Sequence, residues 1–179
     1  MKWKTLSSEY LALYKFFTAR KDRCETEDGT IVPSYYVVEL PVSVCAVCIT
    51  SENQVLMVRQ YRHAVEETLI ELPGGFVDEG ETPQEAITRE LMEETGYSFD
   101  EIVEVGKVAA NPGVLNNYTY LYLAKGGKLT GKQKFDEHEF LSVEKISIDD
   151  LKKLLFENKI TQSLHANCIF YALSYMKEI

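Results

Sequence analysis

The chain reads as an α/β protein: a mixed sheet packed with two or three helices as a sandwich, preceded by a small antiparallel β section. Three observations predict this. Short runs rich in β-branched and aromatic residues recur between residues 13 and 146, separated by turn-forming clusters. Helical periodicity with caps is confined to the stretch opened by Pro83 and to 148–157 and 161–177. Strands and helices interleave without repeats or low-complexity tracts, and such interleaving builds layered sheets flanked by helices.

The opening section, residues 1–40, carries two strand-like segments, 13–20 (LYKFFTAR) and 31–40 (IVPSYYVVEL). Between them Asp28-Gly29 is a hairpin signal. So small a sheet has little core of its own and needs something to lean on. Trp3 and Tyr35-Tyr36 are aromatic enough to stack on a base, although aromatics in strands mostly pack. Residues 41–179 form the second section. Segments 42–50 (VSVCAVCIT) and 54–61 (QVLMVRQY) read as an antiparallel pair across Ser51-Glu52-Asn53, and 67–75 (ETLIELPGG) ends in a turn that exposes backbone carbonyls. Further strands are expected at 101–109, 118–124 and FLSVEKI, with the glycine-bearing tract 126–139 between the last two as a mobile loop.

Composition limits the function. The chain has 179 residues, 45% hydrophobic and 26% charged, as expected of a soluble globular protein. A chain this long buries about 70% of its unfolded surface. The net charge of −9 argues against a nucleic-acid-binding surface, which is basic. It also suits anionic phosphate substrates poorly unless bound metal inverts the local field. The four cysteines are too scattered for a disulfide framework. Cys45 and Cys48 are three apart on a strand, hence on opposite faces and unable to share a metal. MKWKTLSSEY lacks an apolar signal-peptide core and no run approaches membrane-spanning length, so the cytoplasm is the default expectation.

The stretch Gly75–Tyr97, GFVDEGETPQEAITRELMEETGY, carries the chemistry. Thr82 is an N-cap with Glu85 as capping-box partner, Pro83 suits the first turn, and Gly96 suits a left-handed terminus. At about 100° per residue, Glu90 and Glu94 lie about 40° apart, with Glu93 about 60° to the other side of Glu90. Ile87 and Leu91 turn toward the core. Three carboxylates on one face repel one another by a few tenths of a kcal/mol per pair. A solvated acidic face is the ordinary explanation of such a helix. A magnesium site is the alternative, because hard cations take carboxylate and carbonyl oxygens and bridge to phosphates.

Gly75, Glu81, Arg89-Glu90-Leu91, Glu93-Glu94 and Gly96 at these spacings resemble the Nudix box, eight of nine positions matching and Tyr97 standing where an aliphatic residue is usual. The resemblance implies an α/β/α sandwich. The runs Gln60-Tyr61-Arg62 and Glu71-Leu72-Pro73-Gly74-Gly75, the turn Asn111-Pro112-Gly113 and the placement of Pro112 are similar to the ADP-ribose and nucleoside-diphosphate-sugar pyrophosphatase group. Carried over residue by residue, the resemblance implies metal ligation by Glu90, Glu94 and the Gly74 carbonyl, with Glu93 as third ligand or as a catalytic group that orients water. Arg89 orients the glutamates, most simply through Glu93, and Glu81 braces the loop. Glu137 and Glu139 divide a metal-binding and a general-base role, in an order the sequence leaves open. Arg62 and Glu71 would face substrate, with Phe76, Asn111 and Pro112 lining the nucleoside side. Two to three Mg2+ or Mn2+ ions, a small-molecule nucleotide substrate and a homodimer joined through the N-terminal section are implied; nucleic acid and membrane are not.

The expected reaction is metal-dependent hydrolysis of the pyrophosphate bond of ADP-ribose or a related sugar nucleotide, giving a nucleoside monophosphate and a sugar phosphate. Two alternatives stand beside it. One is a Nudix hydrolase of another nucleotide: an oxidised nucleoside triphosphate, a dinucleoside polyphosphate or a capped RNA. The other is a nucleotide-sensing module without catalysis, which the intact set of box glutamates disfavours. His138 lies between two acids, which suggests catalysis, although a lone loop histidine is ordinarily solvent-exposed and inert; His63 and His165 have no partner legible in the sequence.

Overall fold

The computed structural model describes residues 2–14, 17–135 and 140–179. Among the described residues, eleven strands and three helices follow one another. They are β1 (Lys4–Tyr14), β2 (Phe17–Glu25), β3 (Ile31–Glu39), β4 (Ser43–Thr50), β5 (Val55–Arg62), β6 (Glu67–Glu71) and β7 (Gly74–Phe76), then α1 (Pro83–Thr95). After it come β8 (Tyr97–Ser98), β9 (Glu101–Val108), β10 (Thr119–Leu129), β11 (Leu141–Ile146), α2 (Ile148–Phe156) and α3 (Ser163–Tyr175). The chain divides into two compact units: Met1–Pro41 with Ala109–Tyr118, and Val42–Val108 with Thr119–Ile179.

The smaller unit is an antiparallel sheet in the order β1-β2-β3. The hairpin expected at Asp28-Gly29 joins β2 and β3, with Gly29 at φ 82°. The strand expected at 13–20 is corrected: β1 ends at Tyr14 and β2 begins at Phe17. Along β1 only Leu6 and Ala12 are even half-buried, so it has no apolar face for a period-two pattern to reveal. Segment 109–118 joins this unit rather than the section that surrounds it in sequence. Val38 N–H donates to Val114 O (2.8 Å), Asn116 N–H to Val38 O (3.3 Å), and Leu40 N–H to Asn116 Oδ1 (3.0 Å). Trp3 packs edge-on to Tyr35, centroids 5.9 Å apart, and the Tyr35 hydroxyl donates to Gly113 O.

The larger unit is built on a mixed sheet ordered β11-β5-β4-β10-β8, with β6 on β5, β7 on β4 and β9 on β10. Among the described residues of this sheet, only β4 and β10 pair in parallel. Alternation along β4 divides the interior. Cys45, Val47 and Ile49 face a core completed by Leu151 of α2 and Cys168, Ile169, Ala172 and Leu173 of α3. Val44, Ala46 and Cys48 face the opposite core with Ala86, Ile87 and Leu91 of α1. Helices on both faces make the α/β/α sandwich, and all four cysteines are free and buried. Tyr97, where an aliphatic residue was expected, is buried in the α1-side core.

The loop expected over 126–139 is corrected in its first part. Gly126 to Leu129 continue β10, whose last residues pair with β8. The register shifts between Ala124 and Gly127, where Gly126 takes φ +70° and a Cβ would lie 2.6 Å from Asp100 Oδ2. These glycines serve a bulge that redirects a strand, not a flexible tract. The remaining helices match their sequence signals closely: Ser147 forms a capping box with Asp150 for α2, and α3 buries His165, Cys168, Ile169, Ala172 and Leu173.

Candidate active site

Helix α1 forms as its sequence signals require. The Thr82 hydroxyl accepts Glu85 N–H, the Glu85 carboxylate accepts Thr82 N–H (2.8 Å), and Gly96 closes the helix at φ 75°. Its acidic face is not left to solvent. One guanidinium, that of Arg89, gathers three carboxylates and a carbonyl. Nε and Nη2 donate to Glu81 (3.0 and 2.9 Å), Nη1 to Glu90 Oε1 (2.8 Å) and Glu93 Oε2 (3.1 Å), and Nη2 also to Phe76 O (3.0 Å). These hydrogen bonds, Glu81's first, raise the Arg89 pKa further above its already high value. The same contact lowers that of Glu81. Glu81 also accepts Asp78 N–H, so it ties the loop to the helix.

Opposite this face runs the short connection from β6 to β7, anchored at four successive residues. Glu71, 1% exposed, holds Arg62 through Nε (3.0 Å) and Nη2 (2.5 Å). Leu72 N–H donates to His165 Nδ1 (3.2 Å), Pro73 O accepts Ala46 N–H (3.1 Å), and Gly74 N–H donates to Glu94 Oε2 (2.9 Å). Position 74 requires glycine, and position 75 is filled by the Glu90 carboxylate. A Cβ on Gly74, at φ +153°, would stand 2.7 Å from Cys45 Cα, and one on Gly75 would stand 2.6 Å from Glu90 Cδ. Glu90 and Glu94 therefore reach the Gly74-Gly75 backbone directly.

Among the described residues, no three His, Cys, Asp or Glu side chains converge as a ready-made metal cage. The donors nevertheless fit a hard divalent ion. The Glu90 carboxylate occupies space a Cβ at position 75 would fill, Glu94 is 3% exposed beside Gly74, and Glu93 is one contact away on Arg89. A Mg2+ site needs one or two carboxylates and leaves its other positions to water and phosphate oxygens, so a closed cage is not required.

The other expected residues fall as follows. Glu71 lies in the interior, where its carboxylate holds Arg62 instead of facing solvent. Arg62 keeps 44% of its side chain exposed while bound to Glu71. The Phe76 ring is 41% exposed. Asn111 and Pro112 belong to the smaller unit, where Asn111 O accepts Val114 and Leu115 N–H. Glu137, His138 and Glu139 lie outside the described residues. The segment leading to them is secured to the end of α1. Thr130 and Gly131 N–H donate to Gly96 O, Gln133 Nε2 to Glu94 O (2.6 Å), and Lys134 N–H to Glu93 O (2.8 Å).

Sequence reasoning missed Gln133 and His165. Gln133 has no local signal. His165 has one, since it sits with Cys168, Ile169, Ala172 and Leu173 at i, i+3, i+4, i+7 and i+8 on the buried stripe of α3. A histidine in such a stripe needs a partner. Burial pushes its pKa down to about 4, against the opposing pull of the Glu71 charge and helped by Arg62.

Comparison with known proteins agrees with this geometry. The NUDIX domain family matches residues 39–166, and the nucleoside diphosphate sugar hydrolase N-terminal domain matches residues 3–38. The chain is 31% identical over 161 residues to the "Methanol dehydrogenase activator" of Bacillus methanolicus, covering 89% of this chain and 86% of that one. It is 28% identical over 175 residues to the "ADP-ribose pyrophosphatase" of Bacillus subtilis (strain 168), covering 97% and 92%. A crystal structure of an "ADP compounds hydrolase" superposes with a TM-score of 0.86 at 21% identity, over 99% of this chain and 96% of that one, which establishes a shared fold. With the box carboxylates assembled against Gly74-Gly75 and the family match spanning most of its length, the chain belongs to the Nudix family.

Proposed function

We propose that this protein is a Nudix pyrophosphohydrolase that cleaves the pyrophosphate bond of ADP-ribose or a related nucleoside diphosphate sugar, releasing a nucleoside monophosphate and a sugar phosphate. The observation that carries this is the complete set of α1 carboxylates held against the Gly74-Gly75 backbone by Arg89 and Gly74 N–H. The sugar-nucleotide class is supported by the N-terminal domain match at residues 3–38 and by the relative named ADP-ribose pyrophosphatase.

Nudix hydrolases in general require divalent metal ions such as Mg2+. Here Glu90, Glu94, Glu93, the Gly74 carbonyl and Glu139 would hold two to three Mg2+ or Mn2+ ions. When bound, such ions acidify water and neutralise charge on phosphate oxygens. The chain's own residues do the rest. Arg89 holds Glu90 and Glu93 in place through Nη1. Either Glu137 or Glu139 accepts the proton of the attacking water as its oxygen bonds to one phosphorus and the bridging P–O bond breaks. The exposed part of Arg62 offers a cation to the phosphates, oriented by Glu71 from behind. Phe76 is assigned to the nucleoside.

The smaller unit is read as the dimerisation element of a homodimer. Its β1–β2 hairpin exposes Leu11, Leu13, Tyr14 and Phe17, each more than half exposed. Among the described residues no helix is long and apolar enough to cross a membrane.

A substrate panel with Mg2+ tests the reaction: ADP-ribose, ADP-glucose, UDP-glucose, GDP-mannose and nucleoside triphosphates. Sugar nucleotides are expected to be the best substrates, and triphosphates turned over a hundredfold better would overturn the assignment. Glu94→Gln removes a buried ligand charge while keeping an acceptor for Gly74 N–H, so turnover should fall about a hundredfold with the fold intact.

A further inference from the structure

We infer that His165, on a helix remote in sequence from the box, is a positioning residue for the metal-binding backbone at Gly74. This rests on the reading of Gly74, Glu90 and Glu94 as ligands. The connection Glu71-Leu72-Pro73-Gly74 is anchored once per residue, and each anchor comes from a different element. Arg62 of β5 takes the Glu71 carboxylate, His165 of α3 takes Leu72 N–H, Ala46 of β4 takes Pro73 O, and Glu94 of α1 takes Gly74 N–H. Pro73 has no N–H, so Leu72 and Gly74 supply the only backbone donors that can be tethered between β6 and β7. One of these meets the proposed ligand Glu94. The other meets His165.

The chemistry of the contact specifies one tautomer. Nδ1 accepts from Leu72 N–H, so the imidazole proton resides on Nε2, and burial holds the ring neutral. A neutral ring is what this position demands, because a protonated Nδ1 has no lone pair for Leu72. Leu72 is itself 2% exposed, so losing its acceptor leaves a buried N–H unsatisfied. The simplest relief is a rotation of the Leu72–Pro73 backbone. Two residues on, that rotation moves the Gly74 peptide and its contact with Glu94.

The test separates hydrogen bonding from packing. His165→Asn places Oδ1 where Nδ1 stood, His165→Gln moves the acceptor outward toward the Nε2 position, and His165→Leu removes it. Each is made in the full chain, and Mn2+ binding without substrate is followed by calorimetry alongside kcat and KM. Losing a partner that orients a ligand typically weakens metal binding tenfold or more. His165→Gln and His165→Leu should therefore bind Mn2+ about tenfold more weakly and lose kcat with KM little changed, while His165→Asn stays within about threefold of wild type. Folded His165→Gln and His165→Leu proteins that bind Mn2+ like wild type overturn the inference, since a purely structural histidine would change only the melting temperature. Should neither fold, the wild type suffices: Mg2+ should shift the His165 Nδ1 resonance in 15N spectra, and no shift overturns the inference. A wild type that binds no Mn2+ overturns the metal-site reading beneath it instead.

Discussion

Gly75→Ala offers the sharpest test of the site geometry, because it separates catalytic damage from unfolding. The added Cβ would lie 2.6 Å from Glu90 Cδ. Carbon atoms in contact prefer about 3.5 Å, so the carboxylate must retreat by about 1 Å. It can do so cheaply, as the end of a flexible side chain, and alanine also reduces the freedom of the unfolded chain by the equivalent of about 0.4–1 kcal/mol. Stability should change by less than about 1 kcal/mol. Function should not be spared, since Mg2+ demands near-octahedral geometry at about 2.1 Å and a 1 Å misplacement near the chemistry costs about a hundredfold. Gly74→Ala is the matched control. Its Cβ would meet Cys45 Cα at 2.7 Å, backbone that cannot swing away, so that variant should lose about 3 kcal/mol or more of stability. Mn2+ titration, steady-state kinetics and thermal melts on both variants make the comparison. A Gly75→Ala enzyme with turnover and Mn2+ affinity within twofold of wild type would refute the placement of Glu90 against the Gly75 backbone.

Two further outcomes follow from the buried charges. Arg62→Ala should cost about 3 kcal/mol in urea unfolding, because it leaves the carboxylate of Glu71, 1% exposed, without its cation. The double variant Arg62→Met, Glu71→Leu should recover most of that, and equal losses in both would show that the pair is not the cause. His165 makes stability depend on pH in a defined direction. Its pKa falls from 6.5 in the unfolded chain to about 4 in the fold, so below pH 6.5 the unfolded state binds the extra proton. The contribution of the neutral ring is complete above pH 6.5 and is lost as pH falls toward 4, reaching about 2.5 kcal/mol by pH 4.5. Urea unfolding at pH 7 and pH 4.5 should therefore show a drop about that much smaller in His165→Asn than in wild type. Identical drops would show that His165 does not titrate in this window.

Legibility in the sequence followed the range of the interactions involved. Capping signals are local, and Thr82-Glu85, Ser147-Asp150 and Gly96 mark helix ends in the structure where they mark them in the sequence. Strand β4 is local in another sense: an unbroken apolar run with odd residues in one core and even residues in the other. The Nudix box is a fixed spacing on one helix, so its carboxylates were identifiable before the fold was known. What escaped was non-local. Strand β1 is held by pairing with β2, with no apolar face to announce it. Gly126-Gly127 resembles a loop until Asp100 and Phe99 are seen packed where side chains would go. The tethers on Leu72 and on the end of α1 come from residues 93 and 39 positions away, His165 and Gln133.

The acidic face of α1 illustrates why such tethers exist. Three carboxylates on one face invite the conclusion that only bound metal makes them tolerable, and the structure corrects that conclusion. Arg89 already bridges Glu81, Glu90 and Glu93, and Gly74 N–H already serves Glu94. The residual fault is at the helix end, where Glu93 and Glu94 sit in the last turn with no basic residue there to offset the dipole. Each such charge costs about 0.3–1 kcal/mol. Four donors from segment 130–134 answer it, placed on the carbonyls of Glu93, Glu94 and Gly96. A helix serving only stability would reverse those charges and need no such support. That this one keeps its acids at the wrong end, and recruits a distant segment to hold them there, is what a site selected for ligand chemistry looks like in the folding energetics. Arg89 then has two duties that oppose each other. It holds Glu90 and Glu93 where a cation would need them, and it competes with that cation for the same two carboxylates.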